Sequence, residues 1–267
     1  KNDKITLSQI KQITGVEGIV GALFDIPVGE VWPLEEILAL KKEIEEAGLE
    51  FKTVESVNVH EDIKLGLPTR DRYIANYIET LKNLGQAGVN VVCYNFMPIF
   101  DWTRTDLAKP LPDGSTALSF GYRVIEGQEP MELARSIAER SNGFVLPGWE
   151  PERLQELQRL FKLYEGMDEE KLFANLGYFL KAIVPAAAKY GIRMAIHPDD
   201  PPRSVFGLPR IVTNRENLDR LVNLIDSPSN SLAICTGSLG ANLQNDIPAI
   251  VRHFGALDRL GFMHVRN

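Results

Sequence analysis

Three short apolar runs in the second half of the chain each end in a side chain that binds metals. They are Arg193-Met-Ala-Ile-His197, Ser231-Leu-Ala-Ile-Cys235 and Leu260-Gly-Phe-Met-His264. Two imidazoles and a thiolate brought together suit Zn²⁺, Fe²⁺ or Mn²⁺. A lone histidine at a strand end is ordinarily a hydrogen-bonded structural residue, and a lone cysteine a small buried hydrophobe. Three in one repeated pattern point instead to a shared site. Each run reads as a buried strand with its ligand at the C-terminal tip. In a parallel α/β barrel those tips all face one opening, where the chemistry takes place.

The flanking residues add the rest of a site. His197 opens His-Pro-Asp-Asp-Pro-Pro202, where prolines stiffen the backbone and Asp199 or Asp200 would orient the imidazole from behind; Asp199 is also expected among the substrate contacts. Cys235 leads into Thr236-Gly-Ser-Leu-Gly240, read as a glycine-rich turn that brings backbone N–H groups and the Ser238 hydroxyl to the mouth. Strand alternation puts His264 and Arg266 on one face, opposite Val265. Arg266 is then placed to grip a substrate carboxylate, or else pairs with a neighbouring acid on the surface. Asn267 is expected to contact substrate beside it. His60 and Asn95 stand at the exits of two earlier strands. His60 is read as a catalytic base or hydroxyl donor, with an ordinary loop histidine as the alternative, and Asn95 as a hydroxyl partner. Asp101, Trp102 and Arg104 place a carboxylate, an aromatic ring and a cation on one loop, read as a cover for the substrate or as a turn with a packed tryptophan. His253 and Cys93 read as structural.

The elements that must position these groups follow a beat. Gly18–Asp25 is a strand, Leu34–Ala47 an amphipathic helix begun by Pro33 and stopped by Gly48, Phe51–Val57 a strand, Arg70–Ala87 a helix stopped by Gly88, and Val89–Phe96 a strand. Strand, helix, glycine, strand is the mark of βα units in a parallel sheet. Nearly a hundred residues then separate Phe96 from Ile192, more than a βα connection needs. They hold the loop at 101–105, a turn at Pro112-Asp-Gly114, and helical patterns at Glu129–Ser141, Pro151–Tyr164 and Glu169–Tyr190, the last expected to bend at Pro185 and stop at Gly191. Residues 101–170 or so read as an insertion over the barrel mouth. Alternation resumes with strands Ile192–His197, Ser231–Thr236 and Leu260–Val265 and helices Asn214–Ile225 and Asp246–Phe254. Six strands leave a barrel with two open edges, which proteins avoid. The expectation is one domain over residues 1–267, a TIM-type (β/α)₈ barrel whose last βα units lie in a segment absent from this sequence. An open doubly wound sheet is the alternative, but no GxGxxG or GxxxxGK[ST] follows any strand.

Composition narrows the partners. A net charge of −7 shows no basic face for nucleic acid or an anionic membrane surface. Two cysteines do not make a disulfide framework and fit a reducing cytosol. No h-region follows the N-terminus and no run approaches the roughly 20 apolar residues of a bilayer span, so a cytoplasmic location is expected. Neither HExxH nor a nucleophile elbow supports a hydrolase.

Several of these motifs together carry a family likeness. Cys93-Tyr-Asn-Phe-Met-Pro98 running into Phe100-Asp-Trp-Thr-Arg-Thr105, then Ile196-His-Pro-Asp-Asp-Pro-Pro202, Cys235-Thr-Gly-Ser-Leu-Gly240 and His264-Val-Arg-Asn267 resemble mannonate dehydratase of the hexuronate pathway. Gly21–Gly29 and His60–Lys64 fit as well. The resemblance implies a barrel related to the xylose isomerase-like group and dehydration of D-mannonate to 2-dehydro-3-deoxy-D-gluconate, with Mn²⁺ or Fe²⁺ held by His197, Cys235, His264 and an aspartate. It implies a homo-oligomer, such as a dimer. The family continues past His-Val-Arg-Asn, and that segment carries the aspartate and a tyrosine thought to act in catalysis; a chain complete at Asn267 would be expected to be inactive. A related metal-dependent sugar isomerase and a non-catalytic sugar-acid-binding barrel are the competing expectations.

Overall fold

The computed structural model describes residues 4–127, 132 and 154–266. Six parallel strands form the main sheet: β1 (Gly18–Gly21), β2 (Glu50–Glu55), β3 (Val91–Tyr94), β6 (Arg193–Ile196), β7 (Asn230–Cys235) and β8 (Leu260–His264), paired in that order. A separate antiparallel hairpin, β4 (Asp106–Pro110) and β5 (Thr116–Ser119), turns at the expected Pro112-Asp-Gly114. Among the described residues the named helices are α1 (Leu7–Lys11), α2 (Leu34–Glu46), α3 (Glu61–Leu65), α4 (Arg70–Gln86), α5 (Tyr122–Ile125), α6 (Leu154–Tyr164), α7 (Glu169–Lys189), α8 (Arg215–Val222), α9 (Thr236–Gly240) and α10 (Ile247–Ala256). The main sheet therefore matches the βα reading. The hairpin was not foreseen, and the helix expected at Glu129–Ser141 lies outside the described residues. Helix α7 runs continuously through Pro185. Among the described residues no helix is long and apolar enough to cross a membrane.

The sheet is curled, and one bond measures the curl. Strands β2 and β8 are separated by three others, which at about 4.8 Å per strand spacing would hold them roughly 19 Å apart in a flat sheet. Yet Glu55, at the tip of β2, lies 2.9 Å from His264, at the tip of β8. The concave face follows from strand alternation. Cys93, Ala195 and Ala233 cluster there with Val91 and Phe262, and small residues relieve the crowding inside the curve. Their neighbours Val92, Tyr94, Met194, Ile196, Leu232 and Ile234 point to the convex face and pack against the helices. Each such fully buried Leu or Ile contributes about 1.5–3 kcal/mol. A second cluster, including Ile99, Phe100, Ile125, Leu157, Leu160 and Tyr164, packs the 96–125 segment and α6 around its own small core.

Candidate active site

Following the concave row of each strand to its C-terminal tip leads to the site. Ala195 is followed two residues on by His197, Ser231 and Ala233 by Cys235, and Phe262 by His264. The pairing of β7 with β8 slips by one residue between Leu232↔Leu260 and Ala233↔Phe262, leaving Gly261 as the extra residue. A Cβ at Gly261 would collide with Ser231 Oγ and lie 3.1 Å from Ala195 Cβ, so only glycine fits. The bulge returns β8 to a phase in which His264 stands opposite Cys235.

The result is a cluster of three donor atoms, all within 4.8 Å of one another. His197 Nε2 and His264 Nδ1 are 3.1 Å apart; two nitrogens bound to one ion at about 2.0–2.1 Å are separated by a similar distance. The outer nitrogens are anchored as well. His197 Nδ1 lies 2.7 Å from the Pro198 carbonyl, and His264 Nε2 lies 2.9 Å from Glu55 Oε2. Both acceptors take the outer proton, so the inner nitrogen of each ring faces the shared space and would offer its lone pair to an ion there. Cys235 is fully buried, and its sulfur accepts from Ser238 N at 3.4 Å and Arg266 Nε at 3.1 Å. Burial pushes this thiol up, but hydrogen bonds from His197, His264, Ser238 and Arg266 outweigh it and bring the pKa to about 4. His264 moves the opposite way, to about 9, chiefly through its hydrogen bond to Cys235 and then that to Glu55. A preformed thiolate, two oriented imidazoles and a bracing carboxylate fit a divalent transition metal.

The cluster opens into a cavity of about 830 Å³ lined in part by Glu55, Asn95, Trp102, His197, His264 and Arg266. Asn95 donates to Asp101 Oδ1 at 3.0 Å and its own oxygen accepts from Met97 N, so this loop is tied to the tip of β3. Arg104 lies over the Trp102 ring, 5.3 Å from its centre, and makes two bonds to Asp200, at 2.8 and 2.9 Å. Burial pushes Asp200 up, but its bonds to Arg104, Ser238 and Arg266 hold it below the usual carboxylate range.

A family model described as D-mannonate dehydratase (UxuA) matches residues 1–267. The chain belongs to the D-mannonate dehydratase family. The mannonate dehydratase of Thermotoga petrophila is 61% identical over 267 residues, which is 100% of this chain and 74% of the relative. That of Geobacillus thermodenitrificans is 60% identical over 265 residues, covering 99% of this chain and 71% of the relative. The crystal structure of mannonate dehydratase from Streptococcus suis serotype 2 superimposes with a TM-score of 0.90 at 47% identity, covering 100% of this chain and 70% of that one.

Within this family member, the structure brings together most of the expected site residues and moves others. His197, Cys235 and His264 meet, and Asn95, Asp101, Trp102 and Arg104 line the cavity beside them. His60 does not join them. It caps α3, its Nδ1 accepting from Asp62 N, and stacks at 3.6 Å on Tyr73 in a smaller adjoining cavity. Burial, the largest influence, keeps its pKa below the ordinary histidine value. Asp199 is 1% exposed and turns away, accepting the N–H groups of Ile211 and Val212 at 2.7 Å each. A carboxylate spent on a loop backbone does not face substrate. Ser238 is likewise 1% exposed and lies behind Cys235, in what is a short helix, α9, rather than the expected glycine-rich turn. Arg266 lines the cavity, but its guanidinium is bound to Asp200, Ser238 and Cys235. Asn267 lies outside the described residues. Glu55 was missed. Its sequence signal is faint: an acid at an alternate position near the end of a strand, which reads as solvent-facing until the curl is known.

Proposed function

We propose that this chain dehydrates D-mannonate to 2-dehydro-3-deoxy-D-gluconate with Mn²⁺ or Fe²⁺ held by His197, Cys235 and His264. The observation that carries the reading is 61% identity to a mannonate dehydratase along the whole chain, joined to three converging donor atoms at the strand tips. The reaction removes the proton α to the carboxylate and expels the β-hydroxyl as water. A bound divalent ion supplies Lewis acidity for the negative charge that develops. Glu55 and the Pro198 carbonyl keep the two imidazoles in register, and the buried Arg104–Asp200 pair fixes the loop that carries Trp102. Asn95, Asp101, Trp102 and Arg104 bind and cover the sugar chain. The curled parallel sheet with its ligands at one mouth supports the reading as a TIM-type barrel; of the insertion read at 101–170, only residues 101–127, 132 and 154–170 are described. A cytoplasmic homodimer completes the reading, with light scattering as the check on the dimer.

The test is NMR of D-mannonate incubated with chelator-stripped protein after Mn²⁺ or Fe²⁺ is restored. Formation of the 2-keto-3-deoxy acid supports the reading. A keto-sugar formed without loss of water would replace it with an isomerase, and binding without turnover with a sugar-acid-binding role.

A further inference from the structure

We propose that Arg266 is a positioning residue for the Cys235 sulfur and sets how strongly that sulfur donates to a bound metal. The inference rests on the metal reading above. Arg266 Nε lies 3.1 Å from Cys235 Sγ, while Nη2 donates to Asp200 Oδ2 at 2.9 Å and Ser238 Oγ at 3.0 Å. Asp200 is itself 5% exposed and is gripped from its other side by both terminal nitrogens of Arg104. One buried carboxylate thus clamps the guanidinium against the sulfur. The backbone end of Arg266 is fixed too: its N–H donates to Thr236 Oγ1 at 2.8 Å, and the Thr236 hydroxyl returns a bond to the Arg266 carbonyl.

Gly237 supplies the room. A Cβ there would lie 2.9 Å from Arg266 Cγ and 3.0 Å from Nε, so the arginine stem lies across bare backbone in the first turn of α9. Ser238 completes the ring of donors around the sulfur. Its amide is 3.4 Å away and its hydroxyl 3.1 Å, the hydroxyl proton being shared with Asp200 at 3.0 Å.

Each hydrogen bond to a thiolate draws on the lone pairs that a metal would use, and a bond from a guanidinium draws hardest. A weaker sulfur donor leaves more positive charge on the ion and makes it a stronger acid toward its other ligands. The guanidinium expected to clamp a substrate carboxylate is thereby committed, through two of its three nitrogens, to the ligand itself.

The test is the absorption spectrum of cobalt-substituted protein, with Co²⁺ affinity measured against a competing chelator, for wild type, Arg266→Gln, Arg266→Lys and Gly237→Ala. Wild type should show a thiolate-to-cobalt charge-transfer band. In Arg266→Gln and Gly237→Ala the band should move to lower energy, because the sulfur relieved of the guanidinium donates more strongly, while the affinity should fall by about 10–100-fold, because the sulfur is no longer held in place for the ion. Arg266→Lys should recover part of both. Gly237→Ala removes no polar group, so it reads the contact even if Arg266→Gln does not fold. Band and affinity unmoved in these variants would overturn the inference and leave the metal reading standing. A wild type with no cobalt–thiolate band would overturn both.

Discussion

Cys93 on β3 and Cys235 on β7 both face the inside of the curled sheet, and both are buried. Through the pairing Cys93↔Ala195↔Ser231, Cys93 stands four residues below the level of Cys235. There it packs among Ala195, Ala233, Val91 and Phe262, and its thiol points to Glu55 at 3.5 Å. Burial first, and then the charge of Glu55, push that thiol well above its usual range. Cys235 sits where the strands end and the N–H groups of the next segment begin. The same residue type is a neutral core group on one side of the arc and a low-pKa thiol among the proposed metal donors on the other. Burial alone does not decide a cysteine's chemistry; the donors that accompany it do.

The largest break in this contrast comes from the ligand side. Cys235→Ser removes the thiolate and should abolish tight Mn²⁺ binding and lower turnover of D-mannonate by at least about a thousandfold, the loss of an essential ligand; full activity would sink the metal assignment. Glu55→Gln is next. It keeps the shape but exchanges the carboxylate behind His264 for an amide, and metal affinity by chelator competition should fall by about 10–100-fold.

The pKa pattern gives a third prediction. With Cys235 near 4 and His264 near 9, the metal-free protein holds an imidazolium–thiolate pair at neutral pH. Metal binding must displace the His264 proton, so titration calorimetry in buffers of different ionisation enthalpy should find about one proton released per ion at pH 7. The release should vanish as pH rises through about 9. The sign for stability follows from the raised folded-state value. The raised His264 pKa contributes stability to the metal-free protein that is fully present below the ordinary histidine value and lost as pH climbs through about 9, while the contribution of the depressed Cys235 pKa is lost as pH falls through about 4. Cys93→Ala should do least: about 1 kcal/mol of stability by denaturant melting, with metal affinity and turnover within a few-fold of wild type. A large loss of affinity there would erase the contrast.

Much of this was legible before folding. Apolar runs ending in His197, Cys235 and His264 marked the strands and their tips, and Gly48, Gly88 and Gly191 marked where helices stop. Periodicity is local, so it reports elements and faces well. What it missed is long-range or depends on phase. Glu55 finds His264 across 209 residues, and only the curl brings them together. Asp199 and Asp200 are adjacent and identical in type, yet one buttresses the 211–212 backbone and the other clamps two arginines. The hairpin at 106–119 hides in Asp-Leu-Ala-Lys-Pro and Thr-Ala-Leu-Ser, whose alternation is too weak to announce a strand. His60 carried the right side chain at a strand exit, but stacking on Tyr73 holds it in the neighbouring cavity.

The most direct test of the central claim is a crystal structure of the Mn²⁺-loaded protein with anomalous scattering used to locate the ion. The account predicts one peak at about 2.0–2.4 Å from His197 Nε2, Cys235 Sγ and His264 Nδ1 together. A peak elsewhere in the cavity, or a loaded site that leaves Cys235 unbound, would contradict it.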